Sequence, residues 1–445
     1  MAQGLYAALA GFLAPLLIEL DARIDKRLVR TFLQTVAVIL TFRDRVNGLL
    51  LSEMGGYLDT PDKAPAGTKR LSRLLHCVKW STELIREYLW ERATRRLKAW
   101  KDAGVEALAI WDESGWEKPE SIAPEEYGPV RSSKAARLTR IKKGYYSPPR
   151  GPIFVPGLHW LAVILVGREK PPNPPDLAVM RWWTSRGPRE SFKRDEQGKL
   201  LVQLAVQWGR WVLHVFDQGF ASSFWLGLLF AFTLRFVLRW KKEYQLVDAQ
   251  GNRRAAWKIA RGKRGWQERT VWDCRHHLWV HASILAVPVH HPDHPEQPLW
   301  LVIARRKGGL PWYLLTNEPI TCAEDAWRIM FAYARRWQIE LTWRDNKSEL
   351  AFQSPRLWDW EPREKLLLLA TLAYAFLLTL LSPFYASLRS FLLRYYCHRT
   401  GRHCRQAHAP FPRLRMALSR LWQTFPPHWE RLAGCHQPVI SITLA

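Results

Sequence analysis

The stretch Tyr333-Ala-Arg-Arg336-Trp-Gln-Ile-Glu340-Leu-Thr-Trp-Arg-Asp-Asn-Lys347 decides how this chain is read. A helix is signalled just upstream. Thr321 followed by Glu324 has the spacing of a capping box, and apolar residues recur at Trp327, Met330, Phe331, Ala334 and Ile339. On one continuous helix, Tyr333, Arg336, Glu340 and Lys347 project onto a single narrow face, because offsets of three, seven and fourteen are near-multiples of the helical turn. A carboxylate between two cations and an aromatic on one stripe suits a site that holds a metal and grips a phosphate backbone. The plainer reading is an amphipathic surface helix whose Arg336 and Glu340 form an i,i+4 ion pair.

Two upstream aspartates give the stripe possible companions. Val105-Glu-Ala-Leu-Ala-Ile-Trp-Asp112 reads as a buried strand delivering an acid to its C-terminal end. Trp211-Val-Leu-His-Val-Phe-Asp217-Gln-Gly219 repeats the pattern, with a glycine turn behind it. Either aspartate alone would serve as a turn residue or helix N-cap; both together with the Glu340 helix point to a site. Between them, Leu158–Gly167 and Leu177–Thr184 read as strands and Lys199–Trp208 as a helix. Ser222–Thr233 follows as an apolar helix and Phe236–Val247 as a fifth strand. The distance from Asp217 to Glu340 is too long for a simple connection. Alternating stretches at Thr270–Trp272, Trp279–Val287 and Trp300–Arg305 make about 249–320 an inserted β subdomain.

The spacing Tyr-x2-Arg-x3-Glu-x6-Lys resembles the signature of IS4-type insertion-sequence transposases, members of the DDE group with an RNase H-like core. The order of elements and the β-rich insertion resemble that family as well, and the likeness covers about 105–350. It implies an α/β fold in which an RNase H-like catalytic core, a mixed sheet flanked by helices, carries the insertion. Helical regions are then expected at 1–104, for DNA binding, and at 355–445, around a catalytic domain at 105–354. The resemblance also implies that Asp112, Asp217 and Glu340 are the catalytic, metal-binding residues. The implied reaction cuts a phosphodiester at an element end and uses the freed 3′-OH to attack target DNA. The implied partners are double-stranded DNA, as terminal inverted repeats and target, and a second copy of the chain in the DNA complex. Two positions depart from the pattern: Asp112-Glu113-Ser114 stands where the family often has Asp or Gly and then Thr, and Gln218 stands where a basic residue often follows. Glu113, Asp345 and Glu349 are alternative carboxylates, the last two off the stripe's register.

Three carboxylates drawn from separate elements repel one another unless cations lie between them. Oxygen ligands and phosphate partners suit Mg²⁺ or Mn²⁺, and two ions about 3.5–4 Å apart would serve phosphodiester chemistry. Arg336 and Lys347 would then hold phosphates, and Tyr333 would donate a hydrogen bond or stack. Trp337 is a base-stacking candidate, with ordinary core packing as its alternative. Lys134 and Arg137, with Arg131, Arg140, Lys142 and Lys143, form a basic stretch between the first two strands that would guide DNA. A further run, Lys69, Arg70, Arg73, Lys79, Arg86, Arg92, Arg95, Arg96 and Lys98, suits a helical DNA-recognition module or a solvated helical face.

The charge balance agrees, with 66 Lys+Arg against 40 Asp+Glu and a net charge of +26. Such a field steers a protein toward polyanions, although a ribosome-associated or membrane-surface protein would share it. A length of 445 residues with 48% hydrophobic content implies ordered structure in two or three domains. The apolar runs 4–18 and Leu366–Leu381 fall short of the ~20 residues of a membrane span. With no basic n-region or cleavage site at the start, a cytoplasmic, nucleoid-associated protein without membrane contact is expected. Six cysteines show no disulfide framework. Cys397-His398, His403-Cys404 and His408 match no standard zinc spacing, and a basic DNA-contacting segment is the alternative. His290-His291-Pro-Asp-His294 reads as a polar loop. Two other functions fit the same residues: a catalytically inert, domesticated DNA-binding relative, and a nonspecific metal-dependent nuclease.

Overall fold

The computed structural model describes residues 1–42, 44–118, 126–133, 151–169, 173–273, 275–397 and 411–426. Its centre is strand β1 (Ala107–Glu117), whose side chains alternate between two cores. Leu108 and Ile110 enter one, while Ala107, Ala109 and Trp111 enter the other. A strand covered on both faces becomes a near-continuous apolar run, which is what this segment spells.

On one side of β1, β3 (Phe154–Gly167) pairs antiparallel and is followed outward by β4 (Asp176–Trp183), also antiparallel. The short β2 (Gly128–Arg131) pairs with the start of β3. On the other side, β5 (Val212–Phe216) and β6 (Arg235–Arg239) run parallel to β1. The spatial order is therefore β4-β3-β1-β5-β6, a mixed sheet. The strand expected over Phe236–Val247 is two strands, β6 and β7 (Gln245–Val247), separated by a turn closed by the Tyr244 N–H on the Lys241 carbonyl at 3.0 Å.

The stretch 249–320 is rich in strands, and these continue the same sheet. β12 (Trp312–Thr316) pairs antiparallel with β6, and β11 (His294–Arg306) and β10 (Leu278–His291) follow. β9 (Gln267–Asp273) and β7 both pair with β10, and β8 (Arg253–Ala255) pairs with β7.

Helices cover both faces. α6 (Lys193–Gln207), α7 (Ser223–Ala231) and α8 (Ala256–Ala260) close the Trp111 side. The Ile110 side is closed by α9 (Ala323–Ala334), α10 (Trp337–Ser348) and α11 (Trp360–Leu380). α11 is apolar around nearly its whole circumference and buried accordingly, so the run 366–381 is a core helix. Against it pack α1 (Ala2–Asp21), α2 (Lys26–Thr41), α4 (Ala64–Leu75), α5 (Thr82–Asp102) and α12 (Phe411–Thr424); α3 (Leu51–Leu58) lies on α4. α1 meets two of these helices: Tyr6 stacks on Trp422 at 4.1 Å, and Phe12 contacts Phe376 at 5.5 Å. α1 is longer than the apolar run 4–18 and long and apolar enough to cross a membrane. In this fold it buries Leu5, Leu9, Leu13, Leu16 and Leu20 in the shared core.

Candidate active site

Asp112 follows Leu108 and Ile110 on the α9–α10 side of β1, as strand alternation requires. It does not end the strand. β1 runs on to Glu117 against β3, whereas its parallel pairing with β5 ends at Ile110 opposite Val215. Asp112 thus stands where its neighbour strand has stopped, which opens the same space a strand end would. Asp217 directly follows β5 and shares a face with Leu213 and Val215. The two aspartates therefore look toward the same pair of helices.

Those helices are not one continuous rod. α9 ends at Ala334 and α10 starts at Trp337. Through the join, the Arg336 N–H bonds the Tyr333 carbonyl at 2.9 Å, Gln338 bonds Arg335 at 3.0 Å and Ile339 bonds Arg336 at 3.1 Å. These are i to i−3 bonds of a tightened turn. The start of α9 is also capped one residue later than expected. Asp325 accepts the N–H groups of Thr321 at 2.9 Å and Cys322 at 3.3 Å, while Glu324 pairs with Arg269.

Despite the break, all four residues of the stripe reach β1, β5 or one another. The Tyr333 hydroxyl donates to Asp217 Oδ1 at 3.0 Å. Lys347 Nζ donates to Ser114 Oγ at 2.6 Å and lies 5.8 Å from the Trp160 ring centroid. Arg336 Nη2 bonds Glu340 Oε1, so the i,i+4 pair of the plainer reading exists. The same guanidinium places Nη1 3.8 Å from Asp112 Oδ2 and Nε 3.9 Å from Asp217 Oδ1. Three carboxylates from three elements face one cation. Burial pushes the Asp112 carboxyl up to about 6, with Asp217 adding to the shift and Arg336 and Trp343 opposing it. Burial and Asp217 likewise push Tyr333 up to about 12. Burial works against the charge on Arg336, but Tyr333 and the three carboxylates together hold its pKa above the ordinary value.

α9 is fixed from the opposite end of the sheet. Arg328 Nη1 bonds Glu106 at 2.9 Å and its Nη2 bonds Glu318 at 3.1 Å. Arg235 joins the same two carboxylates at 2.8 and 2.6 Å. Burial favours protonation of Glu106, but Arg168, Arg235 and Arg328 keep its pKa below the usual range. One helix is thus tied to the sheet through Arg328 at its middle and Tyr333 at its C-terminal end.

Trp343 and Ser114 escaped the sequence reading. Trp343 Nε1 donates to Asp112 Oδ2 at 3.0 Å, and its ring meets Trp160 edge-on at 4.6 Å. Its offset of ten from Tyr333 continues the stripe, which was the available signal. Ser114, two residues beyond Asp112 on the same strand face, is the partner of Lys347. Glu113 alternates to the other face, bonding Gln197 at 2.6 Å and pairing with Lys193. Asp345 pairs with Arg344 and Glu349 with Arg45, each at 3.0 Å, away from the carboxylate group. Trp337 is half-buried, with the Arg275 guanidinium 4.7 Å from its ring centroid. Arg275 comes from the β9–β10 turn, whose flanking Trp272 and Trp279 are exposed. Several cations of the helical run are engaged within the fold: Arg70 with Asp59, Arg86 with Glu83 and Glu364, Arg92 and Arg96 with Asp176. His290 and His291 end β10 and His294 opens β11, so the expected polar loop is a tight hairpin turn, and His294 bonds the Ser223 carbonyl at 3.1 Å, docking that turn on α7. Lys134 and Arg137 lie outside the described residues, as do His398, His403, Cys404 and His408. Among the described residues, Cys77, Cys322 and Cys397 form no disulfide, and no three His, Cys, Asp or Glu side chains stand at metal-binding distance from one another. Searched against protein-family models and against curated proteins, the chain matches none.

Proposed function

We propose that this chain is a DNA transposase of the IS4 type, with an RNase H-like core and Asp112, Asp217 and Glu340 as its acidic centre. The observation that carries the reading is the convergence of these three side chains on Arg336, within the Tyr-Arg-Glu-Lys stripe, on one face of a β4-β3-β1-β5-β6 sheet. Three antiparallel strands followed by two that run parallel to the first is the order an RNase H-like core requires.

The donor set suits a hard divalent cation. It offers only carboxylate oxygens, and the burial that disfavours charge on Asp112 makes a nearby cation favourable. Asp112, Asp217 and Glu340 would hold Mg²⁺ or Mn²⁺, two ions in the full site, supplying charge stabilisation to the attacking and leaving oxygens of a phosphodiester. The chain's own groups bind and orient. Trp343 fixes Oδ2 of Asp112 and Tyr333 fixes Oδ1 of Asp217. Lys347 sits on the same strand face at Ser114, positioned for a backbone phosphate. The Trp337–Arg275 pair and the exposed Trp272 and Trp279 add aromatic and cationic surface beside the helix break.

In this reading the substrate is double-stranded DNA, as terminal repeats and target, handled by a dimer formed on the DNA. The test is incubation with the DNA that flanks the gene, with and without Mg²⁺, mapping cut 3′ ends to the nucleotide. Metal-dependent cuts at repeat tips, abolished with DNA binding retained in Asp112→Asn, Asp217→Asn and Glu340→Gln, are expected. Scattered cuts would make the protein a nonspecific nuclease. The catalytically inert relative is the second reading, favoured by the guanidinium that stands among the carboxylates. Binding without cutting would establish it.

A further inference from the structure

We infer that Arg336 is the resident cation of the carboxylate centre, and that it must transfer to a DNA phosphate before a divalent metal can occupy that centre. This inference rests on the proposed function and concerns the regulation of the same site.

The geometry leads there directly. Nη1, Nε and Nη2 of one guanidinium face Asp112, Asp217 and Glu340 respectively. A divalent ion liganded by those oxygens would lie in the volume the guanidinium fills, so the two cations compete. No other cation among the described residues pairs with any of the three carboxylates. Without Arg336 they would repel one another, with hydrogen-bond donors such as Trp343, Tyr333 and the Glu113 backbone N–H in support. Arg336 is also placed to leave. It caps α10 at the helix break, and its side chain remains 13% exposed. A planar guanidinium can take a phosphate through forked hydrogen bonds; here its hydrogen bond is to Glu340, while Asp112 and Asp217 stand at 3.8 and 3.9 Å.

Competition of this kind couples two ligands. A phosphate that draws Arg336 away raises the affinity for metal, and metal must raise the affinity for DNA by the same factor. The protein would hold its metal weakly until DNA is in place.

The experiment is Mn²⁺ binding to the full chain, followed by electron paramagnetic resonance, with and without a duplex of the gene's flanking sequence. In wild type the duplex should tighten Mn²⁺ binding by roughly tenfold, within the usual span of allosteric coupling. Arg336→Gln should bind Mn²⁺ roughly tenfold tighter without DNA and show little further gain when the duplex is added. Arg239→Gln, which removes a cation near Tyr333 that pairs with none of the three carboxylates, should change free Mn²⁺ affinity by less than about threefold, so simple loss of positive charge is separated from competition. Should Arg336→Gln prove unstable without metal, Arg336→Lys, which keeps the charge but loses the fork, should give an intermediate Mn²⁺ affinity. Unchanged or weaker Mn²⁺ affinity in Arg336→Gln, or an equal gain in Arg239→Gln, would overturn the inference. Asp112→Asn and Glu340→Gln distinguish the two levels. If Mn²⁺ binding survives both substitutions, the three-carboxylate reading itself fails. If it is lost in both while Arg336→Gln behaves like wild type, only the competition fails.

Discussion

Replacing Asp112 with Asn should make the metal-free protein more stable, and the gain should depend on pH in a calculable way. The Asp112 carboxyl has a pKa of about 6 in the fold against 3.8 as the ordinary value, chiefly because it is buried, with Asp217 contributing. The folded state therefore binds this proton more tightly than the unfolded chain does. Stability is lost as the pH rises from about 3.8 toward 6, and the full deficit stands above that range. Two pKa units correspond to about 3 kcal/mol. Asn is neutral at every pH and retains an oxygen to accept the Trp343 N–H, so it removes the deficit with little change in packing. The expected advantage of Asp112→Asn over wild type is about 3 kcal/mol at pH 7.5 and about 1 kcal/mol at pH 4.5. Urea unfolding followed by circular dichroism, in chelator, at both pH values measures it. Saturating Mg²⁺ should then narrow the gap at pH 7.5, because only wild type offers the Asp112 carboxylate to the ion. An Asn variant that is no more stable at pH 7.5, or whose advantage is equal at both pH values, would refute the assignment of Asp112 as an ionised carboxylate held against its environment.

Trp343→Phe keeps an aromatic ring against Trp160 but removes the 3.0 Å bond to Asp112. It should cost about 1 kcal/mol in stability and at least about tenfold in cleavage, with duplex affinity unchanged by fluorescence anisotropy. Lys347→Met should weaken duplex binding and lower the slope of log affinity against log salt by about 1, read from anisotropy titrations over a range of salt, whatever the DNA sequence. Phe376→Ala opens the core where α1 meets α11, and should cost about 3–5 kcal/mol by urea unfolding without altering the carboxylate geometry.

Much of the strand content was legible because a period of two is a local property. β1, β3, β4 and β5 all appear where the apolar runs put them, and Asp217 ends its strand as its sequence suggests. What failed to show in sequence was tertiary. The place where β1 loses its β5 neighbour is set by the length of β5, so Asp112 looked like a strand end when it is an interior residue beside a shorter strand. The β-rich stretch was legible as an inserted β subdomain, but nothing local announces that it will extend the same sheet, with Leu315 opposite Leu238. Trp343 was passed over for a different reason: although it continues the stripe, an indole on a half-apolar helix reads as core until the carboxylate it serves is known. Arg336 was placed on the correct face, but sequence spacing offers it only Glu340. Its approach to Asp112 and Asp217 exists only once α9 and α10 are docked.

The break between α9 and α10 has a physical reason in that docking. Tyr333 must reach Asp217 beyond β5, while Trp343 and Lys347 must reach Asp112 and Ser114 on β1. β1 and β5 are neighbouring strands about 4.8 Å apart, in a sheet whose strands rotate by roughly 20–25° from one to the next. A straight helix follows one strand direction and drifts off the other. The 3₁₀-type turn at 335–339 advances the chain at about three residues per turn in place of 3.6, which resets the azimuth of α10 relative to α9 within one turn. α9 lies across β5, β6, β10, β11 and β12, and α10 lies on β1 and β3. Arg336 occupies the join, the position on the two helices from which one side chain faces acids delivered by both strands. The same turn that separates the two helices puts the guanidinium among the carboxylates.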